Sequence, residues 1–239
     1  MENKEEISKK HAQLPNGMGN SDLEIKDQLI YLVIKSHNNP SNNCFPSLQT
    51  IAEESGISIP TIRLGIKRLE KAGYIKVEKR GRQNYYFFNP YKTFEPFSDD
   101  FIKRKDLTPL TKSYLVAIQQ YMYKDIQGIG KISMSNRELA LKINTSEYTV
   151  RSCNKELERK NYLTVLKNKS VDLETGCKTD TKIYDLVKLG QAIIWVLKDH
   201  EDRITENSEE IKQQRKLIEA LQREIEELKK NNSNNYTMK

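Results

Sequence analysis

The sequence predicts a mainly α fold with small β-hairpin wings. Two tandem units of three helices and a hairpin precede a long C-terminal coiled-coil helix. Three observations predict this arrangement. One pattern runs from Phe45 to Val77 and again from Ser133 to Val165, 88 residues on. Each copy runs on into β-rich segments. The last part of the chain carries an apolar residue every seven positions. The two copies share Ser47/Ser135, Ala52/Ala140, Ser58/Ser146, Thr61/Thr149, Arg63/Arg151, Lys67/Lys155, Leu69/Leu157 and Glu70/Glu158 at this constant offset, without a gap.

Residues 1–20 are polar, with Pro15, Gly17 and Gly19 close together, and read as a flexible arm. The first unit spans 21–91. Within Leu23 to Lys35, apolar residues at 25, 29, 30 and 32–34 predict a helix with a buried face. NNPSNN, from Asn38 to Asn43, is a turn-rich loop. Ser47 is placed to cap a short helix, Leu48 to Glu54, and Gly56 permits a sharp turn. Ser58 is placed as the next N-cap, with Pro60 in a first turn where its missing N–H costs nothing. That helix runs to about Ala72 and stops at Gly73, the usual left-handed position. Tyr74–Lys79 and Gln83–Phe88, joined by Arg80-Gly81-Arg82, read as a hairpin. Three helices and a hairpin are the winged-helix order.

Residues 92–110, bounded by Pro90 and containing Pro96, read as a linker. The second unit spans 111–189, with helices at Lys112–Lys124, Asn136–Ile143 after Ser135, and Glu147–Lys160 after Ser146. Its hairpin is expected at Tyr162–Lys167 and Lys182–Val187. Two positions depart from the first copy. Asn161 replaces Gly73 and tolerates the left-handed conformation. Asn154 replaces the apolar Ile66 and is costly if buried without partners.

Residues 190–230 form the expected coiled-coil helix. Leu197, Ile204, Ile211, Ile218 and Ile225 recur every seven residues, with Leu221 and Leu228 at the companion positions. β-branched residues at one seam position and Leu at the other favour a parallel dimer. Asn207 and Gln214 in the seam would set the register. Residues 231–239 have no pattern and are expected to be disordered.

Lys and Arg number 40 against 33 Asp and Glu, a net charge of +7. Its local distribution says more. Ser58 to Tyr91 holds eight basic and two acidic residues, whereas Ser146 to Lys188 holds nine and seven. The first copy is therefore the stronger candidate for contact with a polyanion. Cys44, Cys153 and Cys177 are scattered and odd in number, which suggests reduced thiols in a cytoplasm. The start of the chain lacks a signal-peptide h-region, and Ala192–Leu197 is too short to span a bilayer, so no membrane association is expected.

On the helix after Ser58, Ile62, Ile66 and Leu69 form an inward stripe. Thr61, Arg63 and, partly between, Leu64 lie near the N-terminal end of the other face, where a helix in the major groove reaches base edges. Lys67, Arg68 and Lys71 lie deeper and suit phosphate, as does Ser58 with the free amides beside it. Arg80 and Arg82 flank the hairpin tip, placed for a minor groove or a phosphate. The second copy offers Thr149, Arg151, Lys155 and Arg159, diluted by Glu147 and Glu156. Solvated helix faces and hairpin turns also carry such charges, but recurrence of Arg63 and Lys67 in both copies favours contact.

Phe45-Pro-Ser-Leu, Ile51-Ala-Glu-Glu-Ser-Gly-Ile-Ser and Thr61-Ile-Arg with Leu69-Glu-Lys-Ala-Gly-Tyr-Ile resemble winged helix-turn-helix domains of bacterial and phage regulators. They also resemble N-terminal domains of plasmid replication and primosome proteins. The resemblance implies major-groove reading by the helix that carries Arg63.

No catalytic group, metal site or cofactor is expected. His11, His37 and His200 stand alone, no Cys/His spacing suits zinc, and no phosphate-cradling loop is present. The expectation is a sequence-specific protein for double-stranded DNA, acting as a dimeric transcriptional regulator at a bacterial nucleoid. A plasmid or phage replication initiator is the alternative, and an architectural or segregation adaptor the third. The partners are DNA, a second copy through the coil, and a regulatory or replication protein.

Overall fold

The computed structural model describes residues 11–18, 23–39, 43–124, 129–171, 178–186, 188–189, 209, 211–214 and 216. The chain divides into two units, residues 1–195 and 196–239.

In the first unit, β1 (His11–Pro15) precedes α1 (Ile25–Ser36), β2 (Asn43–Cys44), α2 (Leu48–Ser55) and α3 (Ile59–Lys71). Then come β3 (Ile75–Arg80), β4 (Gln83–Phe88), β5 (Phe94–Ser98) and the short α4 (Asp99–Lys103). They are followed by α5 (Pro109–Ile118), β6 (Tyr123–Lys124), β7 (Ile129–Met134), α6 (Asn136–Lys142), α7 (Glu147–Arg159), β8 (Leu163–Val171) and β9 (Lys178–Asp185). Among the described residues three antiparallel sheets result: β1–β5, β2–β4–β3 and β6–β7–β9–β8.

The first copy follows the sequence closely. Ser47 Oγ accepts from Thr50 N at 3.0 Å and starts α2. Gly56 (φ +77°) and Gly73 (φ +77°) take the left-handed turns that end α2 and follow α3. The β3–β4 hairpin turns at Gly81 (φ +62°), and β3 starts at Ile75, one residue after the expected Tyr74.

Four expectations are corrected. The arm is partly structured: His11–Pro15 pairs with Phe94–Ser98, and Ala12, Leu14 and Met18 are buried. The linker is part of the core: β5 and α4 occupy it, and Phe97, Phe101 and Ile102 are fully buried. Pro96 fits because a two-stranded ladder leaves each strand an unpaired edge. The first helix of the second copy starts at Pro109, where Thr108 Oγ1 accepts from Thr111 N at 3.2 Å. It ends at Ile118 in a 3-10 turn, Gln119–Tyr121, instead of reaching Lys124. Thr108-Pro109 is a helix start that the proline-bounded stretch concealed. The second hairpin is also longer than expected, and β7 adds a strand beside β9.

α1 shows why both copies share one unit. Leu29, Ile30, Tyr31, Leu32, Val33 and Ile34 are all fully buried, so the helix has no solvent face along this run. A helix that is apolar all round has to be covered on every side. α2 and α3 cover part of α1, and α5, buried from Thr111 to Ile118, packs on it as well. Lys112 sits inside this junction, donating to the Glu54 carbonyl at 2.9 Å and the Ile102 carbonyl at 3.0 Å. These carbonyls lie near the C-terminal ends of α2 and α4, where a cation is favourable.

In the second unit, residues 209, 211–214 and 216 are helical, and Ile211 is 50% exposed. The remaining expected seam residues, Leu197, Ile204, Ile218, Leu221, Ile225 and Leu228, lie outside the described residues. Among the described residues no helix is long and apolar enough to cross a membrane.

Candidate nucleic-acid interface

α2, the turn at Gly56 and α3 build the candidate surface. Gly56 is needed for two reasons. Its φ is positive, and a Cβ there would stand 2.8 Å from Pro109 Cγ. α3 starts at Ser58, whose hydroxyl does not bond the helix backbone as expected. It pairs instead with the Thr61 hydroxyl at 2.9 Å. Ile62, Ile66 and Leu69 are buried, and Gly65 is buried with them. Gly65 is a position the sequence reading passed over. A Cβ on it would lie 2.6 Å from Ile30 Cδ1 and 2.7 Å from Asp27 Oδ1, so the glycine sets how closely α3 approaches α1.

The outward face carries Arg63, Leu64, Lys67 and Lys71, all exposed; Leu64 is 56% exposed. Thr61 is half-buried beside them. Arg68 is the exception and a correction. Its guanidinium donates from Nε to Asp27 Oδ2 at 2.7 Å and from Nη2 to Asp27 Oδ1 at 2.8 Å, with Glu24 at 3.3 Å. A cation satisfied by a buried carboxylate is spent on holding α3 to α1 and does not face a phosphate.

An open groove of about 600 Å³ separates α3 from the hairpin. Arg63 and Lys67 line one wall, and Lys79 and Arg82 the other. Glu70, also in the groove, accepts from Val77 N at 3.0 Å and ties helix to strand. The two tip arginines part ways. Arg82 joins the groove, whereas Arg80 folds back over the Tyr85 ring at 4.6 Å and pairs with Glu78 at 3.0 Å. Lys76 and Arg80 together hold the Glu78 carboxyl below its usual range. Lys79 was missed because it alternates with acidic and apolar residues in a strand, and only strand pairing shows that it faces α3.

Residues 21–75 match the family model of a helix-turn-helix domain. A helix-turn-helix DNA-binding domain therefore occupies α1, α2 and α3, with α3 the second helix of the motif. No curated protein matches the chain.

Beyond this helix-turn-helix domain, α6 and α7 repeat its local geometry. Ser135 Oγ accepts from Glu138 N at 3.0 Å, and Ser146 Oγ from Thr149 N at 3.1 Å. Asn144 (φ 51°) and Asn161 (φ 57°) stand where the first copy has Gly56 and Gly73. Arg151, Lys155 and Arg159 are exposed on α7, and Thr149 is half-buried. Arg151 Nε donates to Glu147 Oε1 at 2.9 Å. Glu156 does not sit on the outer face. It accepts from Thr108 N at 3.0 Å, Thr108 Oγ1 at 2.7 Å and Thr111 Oγ1 at 2.6 Å, which caps α5. Asn154 is buried with partners: Tyr114 donates to its Oδ1 at 2.8 Å, and its Nδ2 donates to Asn136 Oδ1 at 3.3 Å. Leu141 and Tyr148, 71% and 81% exposed, lie on α6 and at the start of α7. Among the described residues no cluster of three or more His, Cys, Asp or Glu side chains suits a metal.

Proposed function

We propose that the chain is a sequence-specific double-stranded DNA-binding protein built from two tandem winged-helix units, and that it acts as a dimeric transcriptional regulator in a bacterial cytoplasm. The observation that carries this reading is the groove in which Arg63 and Lys67 of α3 face Lys79 and Arg82 of the hairpin. A helix in the major groove, with cations beside it at phosphate height, needs this arrangement. Arg63 and Thr61 read bases, with Leu64 against a thymine methyl. Lys67, Lys71, Lys79 and Arg82 hold phosphates. The protein works by binding alone, without catalysis or cofactor. The heptads from Leu197 to Leu228 support a parallel coiled-coil dimer.

A replication initiator is the second reading. It is favoured by the resemblance of the first copy to N-terminal domains of plasmid replication proteins, with a second such unit in the same chain.

The test is to incubate the protein with sheared DNA from its own source at about 150 mM salt, which suppresses phosphate-only binding, and to sequence what is retained. Peaks at promoters are expected for a regulator. Peaks on direct repeats beside a replication gene would replace it with an initiator, and a flat profile would remove sequence-specific binding altogether.

A further inference from the structure

The repeat extends beyond the helix-turn-helix pattern. β1 and β5 each precede the first helix of a copy, and they correspond at an offset of 83 residues, from His11 to Phe94 and from Pro15 to Ser98. The same offset carries Tyr31-Leu32-Val33 onto Tyr114-Leu115-Val116, all buried in α1 and α5. The sheets agree. Ile75 pairs with Phe88 in the first hairpin, and Leu163, at the offset of 88, pairs with Tyr184 in the second. Tyr31 packs edge-on against Phe88 at 5.6 Å, while Tyr114 meets Tyr184 through their hydroxyls at 3.0 Å. Strand, three helices and hairpin are thus duplicated in one chain.

The two copies meet as the halves of a symmetric dimer do. In the β1–β5 ladder His11 pairs with Ser98 and Pro15 with Phe94, around Gln13 and Pro96 at the centre. The first residue of each strand faces the last of the other. That reciprocity is the mark of a two-fold interface. The equivalent helices α1 and α5 also pack on each other.

The outward faces of α3 and α7 share three residues, although Leu64 is matched by Ser152, and the inner faces keep Leu69/Leu157 but differ at two neighbouring positions. Thr61/Thr149, Arg63/Arg151 and Lys67/Lys155 are identical. On the buried side Gly65 is matched by Cys153, and Ile66 by Asn154. The pair between Arg151 and Glu147 is an exposed pair one helical turn apart, weak enough to exchange for a base edge.

We infer that a single chain is a covalent pseudo-dimer, whose α3 and α7 read, through Thr61 with Arg63 and Thr149 with Arg151, the same bases in inverted orientation, so that one chain covers one inverted repeat whose halves differ where Leu64 is matched by Ser152. This rests on the DNA-binding reading above. It differs from inverted-repeat binding by a coiled-coil dimer, where each half-site takes its own chain.

Selection of a random-sequence duplex library on the full chain at about 150 mM salt tests it, with the stoichiometry of the enriched site measured by sedimentation. The expected result is an inverted repeat bound by one chain per repeat. Arg63→Ala and Arg151→Ala should each enrich an asymmetric site, in which one half keeps its preference and the other loses discrimination roughly 5- to 150-fold, the worth of a bidentate arginine–base contact. The double variant should lose both halves. A direct repeat, two chains per inverted repeat at saturating DNA, or an Arg151→Ala motif unchanged from the parent would overturn the inference while leaving DNA reading by α3 intact. No enrichment by the parent protein would overturn the DNA-binding reading itself.

Discussion

Arg68 holds Asp27 in a two-pronged ion pair, Nε to Oδ2 at 2.7 Å and Nη2 to Oδ1 at 2.8 Å, with the Asp27 side chain fully buried. The same carboxylate caps α1, its Oδ2 accepting from Glu24 N at 3.0 Å. The position equivalent to Arg68 in the second copy is Glu156, which caps α5 through Thr108 and Thr111. Opposite charges therefore do one task in the two copies, fastening the helix that presents the basic face to the first helix of its unit. Removing Arg68 leaves a buried carboxylate unpaired. Arg68→Ala is expected to cost about 3 kcal/mol in urea unfolding and to leave base preference unchanged. Lost preference at full folding would return Arg68 to the DNA face.

Lys67 makes the contrast. It is exposed on α3 and lines the groove. Lys67→Ala is expected to leave stability within about 0.5 kcal/mol and to weaken binding to all sequences alike. The slope of log affinity against log salt should fall by about one, as for one lost phosphate contact. An unchanged slope would take Lys67 off the phosphate backbone.

Gly65 permits the close approach that brings Arg68 to Asp27. An added Cβ would stand 2.6 Å from Ile30 Cδ1, inside a packed core. Gly65→Ala is expected to destabilise by about 1–3 kcal/mol, against the gain in helix propensity that alanine brings elsewhere. Thermal or urea unfolding measures it, and a stabilised variant would show that α1 can yield.

Lys112 gives the fold a pH dependence. Burial, with the neighbouring Lys105 charge, pulls its amine down to about 8. Between that value and the ordinary 10.5 the unfolded chain holds the proton and the folded chain has lost it, so stability rises with pH across this window. Below it both states are charged, and the cost of burying the ammonium is present in full. Stability of the parent relative to Lys112→Met is therefore expected to improve from about pH 7 to about pH 10. A constant difference would mean that the amine is solvated.

Asn161 takes a left-handed turn at φ 57° where the first copy has Gly73. Asn161→Gly should be tolerated, and Asn161→Ala should cost about 1 kcal/mol, because alanine keeps the Cβ that crowds the following carbonyl but loses the side-chain amide whose local hydrogen bonds let asparagine adopt that conformation. Equal stabilities for the two variants would show that the turn relaxes.

What the sequence determined by itself was local. Ser47, Gly56, Pro60 and Gly73 mark the ends of α2 and α3, because capping and left-handed turns depend on the residue and its neighbours. The inward positions of α3 followed from a period of 3.6 residues. The match to a helix-turn-helix domain falls on those same residues. Tertiary structure decided how the pieces are used. Whether an exposed-looking arginine faces DNA or a buried Asp27 depends on a partner 41 residues away, and no pattern along the helix separates Arg68 from Lys67. His11–Pro15 read as a loose arm, and residues 92–110 as a linker, because each lacks the length or period of an element. Each becomes ordered only by pairing with the other. The recurrence of Tyr-Leu-Val at 31 and 114 was legible, but its offset of 83 differs from the 88 of the helix-turn-helix pattern. Only the reciprocal pairing of β1 with β5 relates the two repeats as symmetric halves, because symmetry belongs to positions in space and leaves no trace in the order of residues along a chain.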